Sequence, residues 1–349
     1  MKDLSRRRFL SAVSAAAVAS PVLSARAQGR PTSITVRDPG STYVEAYRNA
    51  FYLPFEQKTG IKVIPAAAAH EPTAQIKAMV EAKSYIWDVA LLSRSAEQSL
   101  VAGNLLEMLN IQGSAIDDLP AGYRTPYFAG VDIYATVLAY RTDKFKTAPQ
   151  GWRDLWNTKD FPGRRALRNH PFDTTEIALM ADGVPQNAVY PCDFDRAYRS
   201  LQKIRPDVNV WWTSGAQSAQ LMQSGEVDMA QMWNGTAQRA IDAGAPVAIQ
   251  WNQNIHDVEG WTILKGTPKV EAAREFVAFT MAPRQQAILA KYMTYGPANP
   301  KAFEFIDPKR AAQLSTYPDY RKAGLQIDNT FWATTKDKAI ERFGAWMLK

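Results

Sequence analysis

The feature that most constrains this chain is a regular alternation between short apolar strands and amphipathic helical stretches. Residues 33–36 and 61–64 are predicted strands, and residues 43–58 between them repeat apolar side chains at helical spacing. Residues 87–92, apolar except for Asp88, form a run of the kind that is buried on both faces of a parallel sheet. Strands that alternate with helices in this way predict an α/β fold.

The same alternation restarts in the second half of the chain. Its predicted helices and strands are, in order, residues 216–223, 227–232, 236–243 and 247–250. A length of 349 residues also favours two domains. No long flexible linker separates the halves, so we expect the chain to cross between the domains more than once, near residues 138–142 and 250–261.

The N-terminus has the three parts of a cleaved export signal. Residues 6–8 are arginines, residues 9–23 are a short apolar stretch, and residues 25–27 (Ala-Arg-Ala) place small side chains at the two cleavage positions. Residues 5–10, Ser-Arg-Arg-Arg-Phe-Leu, also match the twin-arginine export pattern. We therefore predict a twin-arginine signal peptide over residues 1–27 and a mature protein in the periplasm. The alternatives are an ordinary secretory signal with extra arginines or an uncleaved anchor.

Part of the net charge of +7 belongs to that N-terminal segment. The first 27 residues contain five of the 41 basic residues but only one of the 34 acidic residues. The rest of the chain is close to electrically balanced, which does not favour nucleic-acid binding. The single cysteine, Cys192, cannot form an internal disulfide, so cysteine pairing says nothing about the compartment.

Sequence signatures of the common cofactor and metal sites are absent. His70, His170 and His256 are far apart and have no zinc-type spacing, and a single cysteine excludes an iron–sulfur cluster. The chain contains no phosphate-binding loop, no dinucleotide-binding loop and no G-x-S-x-G segment. We therefore expect no cofactor and no metal. An exported hydrolase or lyase stays open as an alternative, because a dispersed catalytic site leaves no local signature.

Tryptophans mark the ends of several predicted strands. Trp211, Trp212, Trp233 and Trp251 all stand at such positions. Ligands of open α/β sheets bind beyond the carboxyl ends of the strands, where aromatic faces can stack on apolar groups or hold a cation. These residues therefore indicate a ligand site, although core packing is the alternative for each one taken singly.

Asp173 and Glu176 lie three residues apart at the start of a predicted helix. This spacing would place both carboxylates on one helix face, where they could act together on a cation. The alternative is that they are ordinary acidic residues of a first helical turn, which the helix macrodipole favours.

Several segments, taken in order, resemble the periplasmic spermidine/putrescine-binding proteins of bacterial ABC importers. The resemblance covers nearly all of the mature chain, and residues 225–236 are its most specific part. The matching segments are residues 55–63 (FEQKTGIKV), 87–89 (WDV), 103–106 (GNLL), 126–127 (PY), 152–156 (WRDLW), 225–228 (GEVD), 232–236 (MWNGT) and 295–299 (YGPAN). No single segment is diagnostic, but their order is.

The resemblance implies a two-lobed α/β protein with the type II periplasmic binding protein fold, which closes about a hinge on its ligand. Lobe 1 would comprise residues 28–138 plus about 260–305, and lobe 2 residues 139–259 plus about 306–349. Such a protein delivers a small solute to the membrane permease subunits of an ABC transporter and performs no covalent chemistry. We expect a monomer that binds no nucleic acid.

The resemblance also implies a set of ligand-binding residues. An acid-x-x-acid pair of the family grips an amine, and Asp173 and Glu176 match it. Trp233 matches a tryptophan that packs on the methylene groups of the ligand, and Tyr43 and Tyr295 match tyrosines that line the cleft.

The first departure from the family pattern is at the second crossover. The family usually has Trp-x-Asp there, with the acid on another amine, whereas this chain has Val258-Glu259-Gly260. Glu259 is a candidate replacement, but a displacement by one position along a strand points a side chain to the opposite face.

The second departure follows the strand at residues 87–92. The family often has hydroxyl and tyrosine residues there, whereas this chain has Ser93-Arg94-Ser95. An arginine in the cleft would repel a polyamine and pair with a carboxylate, although Arg94 could instead be a solvated surface residue.

The predicted ligand is therefore an amine-bearing small molecule. It is a polyamine such as putrescine or spermidine if Glu259 faces the cleft, or an amino-carboxylate such as γ-aminobutyrate if Arg94 does. Iron, thiamine and sugars are weaker options within the same broad fold.

Overall fold

The computed structural model describes residues 31–40, 42–68 and 72–349, so the predicted signal peptide lies outside the described residues. The strands are β1 (Ser33–Asp38), β2 (Lys62–Ala67), β3 (Val89–Ser93), β4 (Leu106–Glu107), β5 (Arg124–Thr125), β6 (Phe128–Arg141), β7 (Arg165–Arg168), β8 (Val208–Trp212), β9 (Met229–Trp233), β10 (Val247–Leu264), β11 (Gly296–Pro297) and β12 (Leu325–Gln326).

The α-helices lie between these strands and at the C-terminal end. They are α1 (Thr42–Tyr47), α2 (Leu53–Thr59), α3 (Thr73–Ala82), α4 (Arg94–Ala102), α5 (Ser114–Asp117), α6 (Trp152–Trp156), α7 (Pro171–Ala181), α8 (Phe194–Ile204), α9 (Gly215–Gln223), α10 (Asn234–Asp242), α11 (Val270–Thr280), α12 (Pro283–Tyr292), α13 (Pro308–Ala311), α14 (Pro318–Ala323) and α15 (Asn329–Met347). A π-helical turn, Arg48–Tyr52, joins α1 to α2. None of these helices is both long enough and apolar enough to cross a bilayer.

One mixed sheet runs through the described chain in the order β2-β1-β3-β10-β6-β9-β7-β8. Strands β2, β1 and β3 are parallel and form the first block, and strands β9, β7 and β8 are parallel and form the second block. The antiparallel pair β10–β6 joins the two blocks. This arrangement confirms the predicted α/β class and its restart in the second half of the chain.

The two joining strands are long, and each contributes to hydrophobic cores of both blocks. Strand β6 has 14 residues and β10 has 18. Tyr134 and Trp261 belong to the core of the first block, whereas Leu138 and Ile255 belong to a core of the second block. The lobe boundaries stated above remain a prediction, since β6 and β10 continue across residues 138 and 259.

The predicted strand over residues 247–250 is confirmed but proves too short. Strand β10 continues to Leu264, with a register shift against β6 between Gln250 and Ile255. Gln253 lies within that shift and has a φ of 60°. The irregularity interrupts the alternation of apolar and polar side chains, which is the signal that identifies a strand in a sequence.

Two glycines provide a test of local backbone energetics. Gly344 is an exposed residue within α15, and Gly60 ends α2 with a φ of 73°. Apart from the adjacent residues and the backbone of the same helix, no described atom lies within 4 Å of a Cβ built at either position. We predict that Gly344→Ala raises the free energy of unfolding by about 0.5–1 kcal/mol, because glycine loses more backbone entropy in a helix than alanine does. Urea denaturation measures this change.

Gly60→Ala is the matched contrast. Its Cβ meets equally open space, but the left-handed backbone disfavours alanine, so the free energy of unfolding should fall by about 1 kcal/mol. Equal effects of the two substitutions would contradict this account.

Candidate ligand-binding site

The predicted site residues follow the carboxyl ends of strands from both blocks. Tyr43 lies in α1 after β1, and Arg94 begins α4 directly after β3. In the second block, Asp173 lies in α7 after β7, and Trp233 ends β9. This is the edge at which open α/β sheets bind ligands.

Two buried carboxylates face each other across the strands that join the blocks. Asp132 of β6 pairs in register with Glu259 of β10, so both side chains leave the same face of the sheet. The Tyr43 hydroxyl donates a hydrogen bond of 2.6 Å to Glu259 Oε2, and the Tyr47 hydroxyl donates one to Asp132 Oδ2. A register shift between Glu259 and Gly260 interrupts the alternation of faces at this point. We call Asp132 and Glu259 the acid pair.

The acid pair carries an electrostatic cost. Burial raises the pKa of Asp132 well above its usual value, the nearby Glu259 carboxylate raises it further, and the Tyr47 hydrogen bond opposes this change. Asp132 Oδ1 is buried and accepts no hydrogen bond from the described residues. A cation beside this oxygen would favour the ionised form, because an opposite charge offsets both burial and like-charge repulsion.

Tyrosine rings surround the acid pair. The ring centroid of Tyr43 lies 5.3 Å from that of Tyr47 and 5.9 Å from that of Tyr295. The ring centroid of Tyr134 lies 6.1 Å from that of Tyr295. Burial, followed by the charge of Glu259, raises the pKa of Tyr43 and of Tyr295. These hydroxyls therefore stay protonated and can donate hydrogen bonds to carboxylates.

A second charged group lies at the carboxyl end of β7. Asp173 Oδ2 accepts hydrogen bonds from Thr136 Oγ1 at 2.9 Å and from Arg168 Nη1 at 3.1 Å. The Arg168 guanidinium carbon lies 5.0 Å from the ring centroid of Trp233 and 6.0 Å from that of Trp212. Asp173 has φ 68° and ψ −45°, a strained conformation for a residue with a side chain, of the kind that occurs at ligand clamps.

Tyr134 connects the two charged groups. Burial is the largest cause that raises its pKa. The carboxylates of Asp173, Asp257 and Glu259 raise this pKa further, and the Arg168 guanidinium lowers it. The Tyr134 hydroxyl is therefore within electrostatic reach of both the acid pair and the Arg168–Asp173 pair.

Glu176 has different surroundings from Asp173. Its Oε1 accepts hydrogen bonds from the Tyr190 hydroxyl at 2.6 Å and from Trp332 Nε1 at 2.7 Å, inside the core of the second block. The helical spacing that would place both carboxylates on one face does not apply here, because Phe172 and Asp173 have non-helical backbone angles. The joint grip of Asp173 and Glu176 on an amine stays a prediction.

Arg94 is held on its own helix. Its guanidinium pairs with Glu97 and lies 5.2 Å from the ring centroid of Phe128. Glu97 also accepts a hydrogen bond of 2.7 Å from Thr125 Oγ1. The structure thus brings Tyr43, Tyr295 and Glu259 together, whereas Arg94 and Glu176 each have partners of their own.

Sequence reasoning did not identify Asp132, Tyr134 or Arg168. A usable signal for Asp132 was available, since it is a single acid within the apolar run of β6, and an isolated buried acid is uncommon. Arg168 ends β7, a strand that we did not predict. In the described residues, no group of three His, Cys, Asp or Glu side chains is placed to hold a metal ion.

Glu176 should make stability depend on pH. Burial, the largest cause, raises its pKa to about 7 from an ordinary value of 4.5. Between these values the folded protein binds a proton that the unfolded chain has released, so this stabilisation is present below pH 4.5 and is lost as the pH rises through 7. His256, whose pKa burial lowers to about 3, acts in the opposite direction, so the parent protein alone does not isolate the effect.

The Glu176→Gln variant isolates the contribution of Glu176 to the pH dependence of stability. Its amide keeps an oxygen that can accept the hydrogen bonds of Tyr190 and Trp332, but the amide does not titrate. We predict that the stability of the variant relative to the parent is greater at pH 8 than at pH 5 by about 2 kcal/mol. Urea denaturation at both pH values measures the difference, with the exposed Glu226→Gln as the matched control. A pH-independent difference for Glu176→Gln would contradict the prediction.

Comparison with known proteins agrees with this architecture. A γ-aminobutyric acid-binding protein of Pseudomonas aeruginosa is 31% identical over 334 residues, which cover 93% of this chain and 94% of the relative. The spermidine/putrescine-binding periplasmic protein of Escherichia coli is 25% identical over 280 residues, covering 76% and 78% of the two chains. The crystal structure of an ABC transporter substrate-binding protein from Bradyrhizobium japonicum is 39% identical, with a TM-score of 0.85 over 90% of this chain and 99% of that one.

The family model for bacterial extracellular solute-binding proteins matches residues 50–320. This match includes the two joining strands and every strand of both blocks except β1. Structural neighbours with the periplasmic binding protein fold confirm the predicted two-lobed type II architecture. The chain therefore belongs to the bacterial extracellular solute-binding protein family.

Proposed function

We propose that this protein captures a small amine-bearing solute in the periplasm and delivers it to the permease subunits of an ABC transporter. An amino-carboxylate of the γ-aminobutyrate type is the first candidate, and a polyamine is the second. The acid pair with its ring of tyrosines is the observation that carries the proposal. The proposal is also supported by two relatives, one named as a γ-aminobutyric acid-binding protein and the other as a spermidine/putrescine-binding protein.

A primary ammonium suits the acid pair chemically. It has three N–H donors, and burying it costs several kcal/mol unless carboxylates accept its hydrogen bonds. Asp132 Oδ1 is a buried acceptor of this kind. The tyrosine faces beside the pair offer apolar contact for the methylene groups next to the ammonium, with about 0.5–2 kcal/mol of cation–π attraction.

Ligand capture in this scheme requires no covalent chemistry. A solute that contacts the acid pair, Tyr43 and Trp233 at once would bridge residues carried by both blocks of the sheet. Such a ligand selects the closed form because only that form makes all the contacts. An exported hydrolase or lyase would instead convert the solute, so product formation during incubation with amines and esters distinguishes the two classes.

The acid pair should control affinity. We predict that Glu259→Gln and Asp132→Asn each weaken γ-aminobutyrate binding at least tenfold in isothermal titration calorimetry. Each variant removes the carboxylate that would pair with the ligand ammonium, and the loss of one partner of a buried ion pair costs about 2–5 kcal/mol. Glu226→Gln removes an exposed acid and should leave the affinity unchanged. If both acid-pair variants bind amines as well as the parent does, the site assignment is wrong.

Export is the remaining part of the proposal. The arginine motif of residues 5–10 would send an already folded protein through the twin-arginine pathway, with cleavage after Ala27. We predict that replacing Arg6 and Arg7 with Lys abolishes delivery to the periplasm in cell fractionation. Undiminished delivery would reject the twin-arginine route, and a mature N-terminus other than Gln28 in mass spectrometry would reject the cleavage site.

A further inference from the structure

We propose that Arg168 receives the carboxylate end of the ligand and that Asp173 positions this arginine instead of gripping an amine. The site would then have one anionic end, the acid pair, and one cationic end, Arg168. It would select a zwitterion over a diamine. This inference rests on the proposed function and assigns the two ends of the same site.

The Asp173 carboxylate already has two donors. Thr136 Oγ1 and Arg168 Nη1 both donate to its Oδ2, and the ion pair with Arg168 offsets its charge. An acid that is paired with a guanidinium attracts an ammonium less than the acid pair does, because the guanidinium repels the same ammonium. Asp173 is therefore a weaker amine site than its position in the sequence suggests.

Arg168 keeps donors available for a ligand. A guanidinium has five N–H donors in a planar fork that matches a carboxylate. Nη1 is bonded to Asp173, and within residues 31–40, 42–68 and 72–349 the structure shows no hydrogen bond from Nε or Nη2. The side chain is 16% exposed, so it is screened from most solvent but not sealed.

The surroundings of Arg168 fix the direction of its fork. The rings of Trp233 and Trp212 lie beside the guanidinium, and the Arg168 backbone N–H donates a hydrogen bond of 3.0 Å to Gln231 Oε1. Aromatic contact and an anchored main chain reduce the side-chain entropy that carboxylate binding would otherwise cost. Preorganisation of this kind is typical of a specificity-determining group.

Strand β6 links the two ends, because Asp132, Tyr134 and Thr136 are two residues apart along it and Thr136 donates to Asp173, the partner of Arg168. A diamine with one ammonium at the acid pair would bring its second ammonium towards Arg168. A γ-amino acid would bring a carboxylate there instead. Repulsion of the wrong ligand would thus add to attraction of the right one.

Three four-carbon probes test the inference: γ-aminobutyrate, butylamine and putrescine. They share an amine and differ at the distal end, which is a carboxylate, a methyl group and a second ammonium. Calorimetry on the parent protein should give the tightest binding for γ-aminobutyrate. Arg168→Gln should weaken γ-aminobutyrate binding at least tenfold and change butylamine binding less than twofold. Arg168→Lys, which keeps the charge without the planar fork, should fall between the parent and Arg168→Gln.

Arg342→Gln is the control, because it removes an exposed arginine of α15 that pairs with Asp195, and it should leave all three affinities unchanged. Equal loss of γ-aminobutyrate and butylamine in Arg168→Gln would overturn the inference by indicating a purely structural role. Tighter binding of putrescine than of γ-aminobutyrate by the parent would also overturn it, and this readout needs no variant to fold. If the parent binds none of the three probes, both the proposed function and this inference are rejected. If the parent binds amines and Arg168→Gln leaves γ-aminobutyrate binding unchanged, only this inference is rejected.

Discussion

The antiparallel pairing of β6 with β10 is the constraint on which the rest of the structure depends. It joins two parallel blocks into one sheet and sets Asp132 opposite Glu259. A slip of one residue in this register would move a carboxylate to the other face, away from the tyrosines that bond it. Residues of both strands belong to the cores of both blocks, so the hydrophobic packing that stabilises the fold also fixes the geometry of the acid pair.

Burying two acids side by side is unfavourable, and the chain compensates only part of that cost. Hydroxyl donors from α1 bond one oxygen of each acid, but the other oxygen of Asp132 accepts no hydrogen bond from the described residues. A cation that binds here would relieve the like-charge repulsion, so the cost of the empty site becomes part of the driving force for binding. In the proposed scheme, this repulsion lies between β6 and β10, the strands that connect the two blocks.

Local patterns in the sequence predicted the helices and strands well but predicted the orientation of individual side chains poorly. The alternation of strands and helices was sufficient for the fold class, and the family resemblance placed Tyr43, Tyr295 and Glu259, which the structure brings together. The helix-face argument for Asp173 and Glu176 depended on a regular first turn, and the positive φ of Asp173 removes that regularity. The Arg168 guanidinium lies beside the rings of Trp212 and Trp233, residues more than forty positions away, and no local pattern in the sequence contains such a contact.

Asp173 and Glu176 belong to one acid-x-x-acid motif but have different partners in the structure. An acid at the position of Asp173 attracts an amine when its neighbours leave it uncompensated. Here an arginine five residues earlier supplies the opposite charge, and Tyr190 and Trp332 draw Glu176 into the core of the second block. The chemistry of the site therefore depends on which groups pair with the acids. In the proposed scheme, a change in those partners would change the preferred ligand, while the sheet and its register stay the same.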